Sequence, residues 1–176
     1  MQQERRRSPA SAYGRTKGEG EVGVLDAADT NAVIRLSKVI PPDFPLLRNW
    51  TKVLRERGTI SAFTDMTMSP VELETAINAI LNVAATGEGG IWHVSARNDI
   101  SYHDAAMIIA ARMNVPRDRI VAATAAQHGI ASEDILAYTS LDCQRLSEAT
   151  GFVCPDAEAV IGHFLESTLP QTQDCT

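Results

Sequence analysis

The hydrophobic positions of the chain follow two spacings, one typical of strands and one typical of helices. β-Branched or apolar runs of strand length lie at 31–37, 59–64, 91–95 and 119–125. Elsewhere apolar residues recur every three or four positions, which predicts helices packed by one face. The predicted inward faces are Leu46, Leu47, Trp50, Val53 and Leu54; Leu73, Ala76, Ile77, Ile80, Leu81 and Ala84; Tyr102, Ala105, Ala106, Ile109, Ala110 and Met113; and Val160, Ile161, Phe164 and Leu165. This alternation predicts an α/β sheet with helices on its faces.

Capping residues predict where several helices begin. Ser101, Asp142 and Asp156 are each expected to cap the helix that follows them. Ser69 is expected to cap a further helix, with Pro70 at its first position and Glu72 completing a capping box. This pattern predicts that the second of the faces above belongs to a helix beginning at Pro70.

Length and composition indicate one compact unit. A chain of 176 residues can bury a core as a single domain, expected over 11–168, with 1–10 as a disordered start and 169–176 as a disordered tail. The net charge of −6 argues against a nucleic-acid partner. No stretch is long enough to span a bilayer and no signal peptide is recognisable. Cys143, Cys154 and Cys175 lack metal-ligand spacing and are expected to be reduced thiols. We therefore expect a cytoplasmic protein with no membrane partner and no metal site.

Tyr13 and Lys17 are the residues that point most directly to chemistry. Their four-residue separation stacks the two side chains one turn apart on one helical face. A free phenol titrates near pH ~10, and a nearby ammonium stabilises the phenolate and lowers that pKa. The pair therefore suits proton donation to a carbonyl or alcohol. For a bare Tyr-x-x-x-Lys spacing, a packed Tyr beside a solvated Lys is the alternative.

Several motifs surround and follow this pair. They are Ser11-Ala12-Tyr13-Gly14-Arg15-Thr16-Lys17-Gly18-Glu19-Gly20-Glu21, Arg35-Leu36-Ser37, Asp65 followed by Pro70, Gly90-Ile91-Trp92-His93-Val94-Ser95, and Ser140-Leu141-Asp142. In this order they resemble the motifs of the extended short-chain dehydrogenases/reductases, within them the dTDP-4-dehydrorhamnose reductase-like, sugar-nucleotide-binding family. The resemblance covers most of positions 11–165. It implies the C-terminal half of a partial Rossmann-like, doubly wound sheet, plus a small α/β substrate-binding region.

The resemblance also implies that residues 11–26 form the catalytic helix. Propensity alone predicts a loop there, because each glycine costs a helix about 1 kcal/mol relative to Ala. The glycines concerned are Gly14, Gly18, Gly20 and Gly23. We predict a helix whose glycines allow close approach to the sheet or to a partner subunit.

The implied activity is NAD(P)-dependent reduction or epimerisation of a 4-keto sugar nucleotide. Tyr13 is then the proton donor and Lys17 lowers its pKa. The residues expected to contact the NAD(P)H cofactor are Tyr13, Lys17, Arg35, Leu36 and Ser37. The residues expected to contact the sugar nucleotide are Lys38, Asp65 and Pro70. A structural ion pair is an equal alternative for Arg35, and His93 is expected to be a packed core histidine.

Departures from the family pattern limit this assignment. Members begin with a Gly-x-x-Gly-x-x-Gly turn that receives the cofactor pyrophosphate. The sequence has no such turn, since Gly87, Gly89 and Gly90 lie between a helix and a strand, the reverse order. We expect NAD(P)H to bind the full-length parent, and this chain to be a truncated portion that is inactive alone. Lys38 also replaces the Trp of the rhamnose-forming reductases, and Leu136-Ala137 replaces an Arg-Pro pair. These departures leave the identity of the sugar undetermined.

Three interpretations remain. The parent protein is a sugar-nucleotide reductase or epimerase, or a non-catalytic binding or regulatory subunit like the methionine adenosyltransferase beta subunit of the same branch, or this chain is a truncated product without activity. The partners expected are a sugar nucleotide and either a second copy, in a homodimer, or a missing N-terminal half.

Overall fold

The computed structural model describes residues 12–168, apart from the side chains of Ala12, Tyr13 and Glu133. The helices are α1 (Ala12–Ala27), α2 (Pro45–Arg55), α3 (Leu73–Thr86), α4 (Tyr102–Arg112), α5 (Gln144–Thr150) and α6 (Ala157–Thr168). The strands are β1 (Ala32–Leu36), β2 (Lys38–Ile40), β3 (Ile60–Phe63), β4 (Thr67–Met68), β5 (Pro70–Glu72), β6 (Gly90–Val94), β7 (Ile100–Ser101) and β8 (Ile120–Ala123). The four predicted strand runs are confirmed. The ends expected to be disordered, 1–10 and 169–176, lie outside the described residues.

The strands form small pairs, most of them parallel. β1 pairs with β6 in the register that places Arg35 beside His93. β2 pairs with β5 and β3 with β8, also in parallel, while β4 and β7 are antiparallel. Parallel sheets are normally covered by helices on both faces. The arrangement confirms a mixed α/β fold with parts of a Rossmann-like sheet.

Helices cover both faces of the β1–β6 pair. Successive residues of a strand point to opposite faces. Ile34 packs against the cluster that contains Trp92 of β6 and Ala79 of α3. The next residue, Arg35, contacts Glu21 of α1. α1 and α3 therefore lie on opposite faces of the pair, as in a doubly wound sheet.

The outer edge of β6 is closed by a side chain. Gly90 donates its N–H to Asn31 of the turn before β1 at 2.8 Å. The carbonyls of Gly89 and Ile91 therefore point away from β1. Arg145 of α5 donates to both of them, at 2.8 and 3.1 Å. Its guanidinium covers the edge and prevents another strand from pairing there.

The main core lies between α2, α4 and α6. Leu47, Ile109 and Ile161 are fully buried in one cluster, which also includes residues of β3, β4 and β7. The inward faces predicted for these helices are confirmed. Ser101 and Asp156 cap their helices as predicted, each accepting a backbone N–H of the first turn. Asp142 accepts the N–H of Gln144, but Cys143 occupies the N-cap position of α5.

The predicted start of α3 is wrong. Pro70 lies in β5, paired with Lys38 of β2. Ser69 is fully buried, and its hydroxyl lies 2.8 Å from that of Ser95. The helix follows Glu72, whose backbone is extended at φ −68° and ψ 150°. The capping-box prediction failed because the pairing of these residues with β2 depends on distant sequence.

The predicted inward face of α3 is also wrong. The residues buried on this helix are Ala76, Ala79 and Val83. They pack in one cluster with the fully buried Trp92, whose large ring leaves room only for small or medium side chains above it. The larger apolar residues are 39–61% exposed. We call these residues, Leu73, Ile77, Ile80 and Leu81, the α3 stripe.

α1 confirms the helix expected from the resemblance. Its half-buried positions are Gly14, Gly18, Glu21 and Leu25, so the face turned toward the sheet carries one large apolar side chain. A Cβ placed on Gly18, Gly20 or Gly23 would have no heavy atom within 4 Å. The expected close approach to the sheet is therefore not observed at these three glycines.

Candidate functional site

α1 carries Tyr13 and Lys17 beyond the carboxyl end of β1. A short turn joins α1 to β1, so the helix runs back along the strand, and Glu21 contacts Arg35 near the end of the strand. An α-helix rises about 1.5 Å per residue, which places the backbones of Lys17 and Tyr13 about 6 and about 12 Å further along the axis. Lys17 is exposed. The side chain of Tyr13 lies outside the described part, and its role as proton donor stays a prediction.

Glu21 and Arg35 form a charge pair between α1 and β1. Arg35 donates from Nε to Oε1 at 3.0 Å and from Nη2 to Oε2 at 2.5 Å, the bidentate geometry that Arg favours with carboxylates. Hydrogen bonding by Arg35 lowers the pKa of Glu21, against a smaller opposing effect of burial. The ion pair named as an alternative for Arg35 is therefore present. Contact of Arg35 with a cofactor stays a prediction.

His93 extends this pair across the strands. It is half-buried, so the expectation of a packed core histidine is wrong. Its Nδ1 lies 3.0 Å from the backbone oxygen of Asp142 and its Nε2 3.5 Å from Nη1 of Arg35. Because a carbonyl oxygen only accepts, the contacts assign the proton to Nδ1. His93 thus links the Glu21–Arg35 pair to the Ser-Leu-Asp segment.

Three serines join the carboxyl ends of β1 and β6. Ser37 donates its hydroxyl to the carbonyl of Ser69 and its N–H to that of Val94 at 2.9 Å. Ser69 and Ser95 share a hydrogen bond of 2.8 Å between their hydroxyls. Ser95 also accepts the N–H of Leu141 at 3.1 Å. The predicted cofactor residue Ser37 is therefore held within a structural network.

The remaining predicted residues divide into two places. Leu36 and Lys38 are exposed on either side of Ser37, and the buried Pro70 is the register partner of Lys38. Asp65 accepts the N–H of Ala125 with both carboxylate oxygens, at 2.8 and 3.1 Å. The structure thus brings Leu36, Lys38 and Pro70 together, while Asp65 holds the loop after β8.

Sequence reasoning missed Asp99, which follows β6. It accepts the N–H and hydroxyl groups of Thr139 and Ser140 at 2.7–3.0 Å. Burial raises the pKa of Asp99, but these hydrogen bonds outweigh that effect and the pKa is lowered overall. No local spacing marks this contact, because it joins residues about forty positions apart. Glu21 had a visible signal, since it lies four residues after Lys17 on the same helical face.

Cys143 is an inert thiol. It is a free, buried cysteine, and burial raises its pKa to about 12. It therefore remains protonated at neutral pH, as expected for an ordinary reduced cysteine.

The glycines after α3 do not cradle a phosphate. Gly87 ends the helix in the left-handed conformation, at φ 68°. A Cβ on Gly89 would lie 2.0 Å from the carbonyl oxygen of Asp29, so this glycine admits the turn before β1. The described residues include no Gly-rich cradle for a pyrophosphate. Contact of Lys17 with the ribose beside a nicotinamide stays a prediction.

A groove of about 420 Å³ lies between α3 and α6. Its lining includes Ile40, Pro41, Leu73, Ile77, Val160 and Phe164. At its rim, Nδ1 of His163 lies 2.7 Å from Oε1 of Glu72. None of the predicted site residues lines it, so the groove is separate from the end of the sheet described above.

Fold and geometry together define an α/β protein with part of a Rossmann-like, doubly wound sheet. The family described as RmlD substrate binding domain matches residues 1–169, and the chain belongs to that family. No curated protein matches it. Among the described helices, none is long and apolar enough to cross a membrane.

Solved structures share this fold and extend beyond it. dTDP-4-dehydrorhamnose reductase from Bacillus anthracis, in complex with NADP, superposes with a TM-score of 0.74 at 22% identity, over 89% of this chain and 55% of that one. A dTDP-4-dehydrorhamnose reductase from Clostridium acetobutylicum gives 0.74 at 18%, over 89% and 55%. A hypothetical dTDP-4-dehydrorhamnose reductase from Sulfolobus tokodaii gives 0.68 at 26%, over 90% and 56%. The chain spans about half the length of these proteins.

Proposed function

We propose that the chain supplies the proton donor and the sugar-nucleotide-binding part of an NAD(P)-dependent reductase or epimerase acting on a 4-keto sugar nucleotide. The observation that supports this most is the helix α1. It forms despite its glycines and carries Tyr13 and Lys17 one turn apart, beyond the carboxyl end of a parallel strand pair. α/β sheets bind their ligands at that end. Membership of the family agrees with this proposal.

The chain's part in the reaction is the handling of a proton. In this class of enzyme the reduced nicotinamide supplies the hydride. Tyr13 donates its phenolic proton to the carbonyl oxygen as negative charge develops there. The ammonium of Lys17 stabilises the phenolate that remains, which lowers the pKa of Tyr13. Glu21, one turn further on, is bound by Arg35 and fixes the rotation of this helical face.

Replacing Tyr13 tests the proposal directly. In a protein that carries both this chain and a cofactor-binding half, Tyr13→Phe should lower kcat by about 10²–10⁴-fold with little change in substrate affinity, because one proton donor is lost. Tyr138→Phe is a matched control, since Tyr138 is 87% exposed. Unchanged turnover in the Tyr13 variant would exclude it as the acid.

The chain by itself should neither bind NADPH nor reduce a 4-keto sugar nucleotide. Its residues include no glycine-rich turn for the pyrophosphate, which carries much of the binding in such sites. Titration of the 176-residue chain with NADPH, followed by cofactor fluorescence, checks this. Saturation at micromolar NADPH would contradict it.

Binding without catalysis is the second candidate function. Lys38 is exposed where the rhamnose-forming reductases carry a Trp, and Leu136, 53% exposed, replaces an Arg. Both changes remove contacts expected with the substrate and suit a regulatory subunit. Calorimetric binding of a dTDP-sugar to the assembled protein, without turnover in the presence of NADPH, would favour this function over the first.

A further inference from the structure

Cys143 and Cys154 are neighbours in space at the two ends of the segment that contains α5. Cys143 precedes the helix as its N-cap residue, and Cys154 lies four positions after its last residue. Their thiols are hydrogen-bonded to each other, and both cysteines are free. Two thiols in contact can be joined by oxidation, which neither thiol could undergo with a distant partner.

The end of α5 explains this contact. Gly151 follows the helix in the left-handed conformation, at φ 72°, and donates its N–H to the carbonyl of Ser147 at 2.9 Å. A glycine of this kind turns the chain away from the helix axis. The seven residues of α5 are about 10 Å long at about 1.5 Å per residue. Three further residues of chain can span about 10 Å, which is enough to return Cys154 to the beginning of the helix.

The residues on each side of Cys154 are anchored to the rest of the protein. Phe152 packs against the buried cluster that contains Leu146 of α5. The carbonyl of Pro155 accepts the N–H of Arg97 at 2.9 Å. Cys154 is therefore held beside the start of α5 and is not carried on a loose loop.

The two thiols differ in their access to solvent. Cys143 is 5% exposed, and burial raises its pKa to about 12. A reagent in solution does not reach this thiol, which also stays protonated at neutral pH. Cys154 is half-buried, so a reagent meets Cys154 first and Cys143 can react only with its neighbour.

We propose that Cys143 and Cys154 form a site of reversible disulfide modification, with a low-molecular-weight disulfide such as oxidised glutathione as the oxidant. The thiolate of Cys154 attacks one sulfur of the oxidant, whose S–S bond breaks and releases one thiolate. Cys143 then attacks the Cys154 sulfur of this mixed disulfide and expels the second thiolate, which takes up the proton of Cys143. In total the two protein thiols lose two electrons and two protons, and the oxidant is reduced to two thiols. This modification is independent of the proposed function.

The bond closes a loop of twelve residues around α5. Asp142, next to Cys143, holds Nδ1 of His93 at 3.0 Å through its backbone oxygen. Oxidation therefore fixes the segment that joins α5 to the candidate site. We expect slower hydrogen exchange at the amides of 144–150 in the oxidised chain.

Oxidation of the 176-residue chain with oxidised glutathione tests the proposal. Cleavage after glutamate places the three cysteines on separate peptides, so mass spectrometry identifies each pair. We expect the peptides of Cys143 and Cys154 to be joined with a loss of about 2 Da, and dithiothreitol to reverse the change. This pair should exceed either pair that includes Cys175 at least tenfold. In urea the excess should fall to about threefold, which the difference in loop length alone gives.

Single substitutions assign the two steps. In Cys143→Ala the mixed disulfide with glutathione should remain on Cys154, because the second thiol is absent. In Cys154→Ser the buried Cys143 should stay unmodified. Cys175→Ser is the control and should leave the cross-link unchanged. Circular dichroism establishes that each variant is folded, and if Cys143→Ala is not, the other two variants decide.

The thermal midpoint of unfolding shows whether the native packing admits the bond. The oxidised chain should unfold at a midpoint roughly 5–10 °C higher, because a closed loop constrains the unfolded state. A midpoint lowered by oxidation overturns the proposal. So does an absent cross-link, one that requires Cys175, or one formed with the same excess in urea.

Discussion

The α2–α4–α6 region and the β1–β6 region bury their apolar side chains in different ways. In the first, three helices and several short strands contribute side chains to one continuous buried cluster. In the second, the buried cluster lies on the α3 side of the strands. The α1 side is occupied by Arg35, His93 and Glu21. The first region is stabilised by apolar packing between its helices, whereas the second has apolar packing on one face of its strands, polar contacts on the other, and exposed apolar surface on α3.

This difference indicates which part of the described chain leaves apolar surface exposed. Apolar burial supplies most of the stabilisation of a domain, and the α2–α4–α6 region has it in one continuous cluster. Within the described residues β1 pairs only with β6, and the α3 stripe is exposed. Its polar contacts fix orientation more than they add stability, because partly exposed ion pairs contribute little.

A Leu→Ala substitution in α2 and one in α3 should differ most in their effect on the free energy of unfolding. Leu47→Ala removes a fully buried side chain of α2 and should lower the free energy of unfolding by about 2–5 kcal/mol. Leu81→Ala, on the stripe of α3, removes a side chain that is 61% exposed and should change it by less than about 0.5 kcal/mol in the chain alone. Urea unfolding followed by circular dichroism measures both. Equal losses would mean that the stripe is already covered in solution.

Asp99 holds Thr139 and Ser140, and its contribution to stability should depend on pH. Its lowered pKa means that the carboxylate form is favoured by folding. The stabilisation is therefore present above the unfolded pKa of about 3.9 and is lost as pH falls through the lowered value. Asp99→Asn should cost about 1–3 kcal/mol at neutral pH, since four hydrogen bonds lose their charged acceptor.

Unfolding free energies of the Asp99 variant and the parent chain, measured from pH 7 to pH 3, give the comparison. The difference between the two should shrink toward acid pH. A constant difference over that range would show that the charge of Asp99 makes no contribution. Asp104→Asn, on the exposed start of α4, supplies the control for removing one acidic residue.

Local sequence predicted the helices of the α2–α4–α6 region, because these helices are amphipathic and bury their large residues. The faces of α2, α4 and α6 and the caps of α4 and α6 were predictable because spacing and capping act within a few residues. The inward face of α3 was not, because the fully buried Trp92, sixteen residues after Ala76, selects small residues beneath the helix. β5 was missed for the same reason, since its register partners in β2 lie 32 residues earlier in the chain. At the candidate site, Tyr13 and Lys17 were proposed from spacing and resemblance, and their roles stay predictions. The hydrogen bonds that Asp99 accepts and the network of three serines form only when segments distant in the sequence meet.

Breaking the ion pair of α1 should have a smaller and more local effect. Glu21→Gln removes the charge from a bidentate contact that is partly exposed, with side chains 24% and 43% accessible. We expect a loss of at most about 1 kcal/mol, concentrated in faster hydrogen exchange over residues 14–25. Because Arg35 lowers the pKa of Glu21, this loss should appear at neutral pH and disappear as pH falls through that lowered value.

Glu19→Gln is the matched control for this charge change, since Glu19 is exposed on the same helix. Its amide exchange should match that of the parent chain. If both variants loosen α1 equally, net charge rather than the contact with Arg35 holds the helix.

The smallest expected effect is a gain of stability in α1. Gly20 is exposed, and a Cβ placed on it meets no heavy atom within 4 Å. Gly20→Ala should therefore stabilise the helix by up to about 1 kcal/mol, because Ala loses less backbone entropy than Gly on folding. Hydrogen exchange of α1 and the thermal midpoint of unfolding measure this gain.

Gly89→Ala, just before β6, is the opposite case. Its Cβ would lie 2.0 Å from the carbonyl oxygen of Asp29. It should destabilise by about 1–3 kcal/mol, because the turn before β1 must move. Opposite signs for the two substitutions would show that the glycines of α1 are not required by packing within this chain. If Gly20→Ala destabilises the chain instead, the added methyl group meets a surface outside the described residues. α1 would then be covered in solution on the side of Gly20.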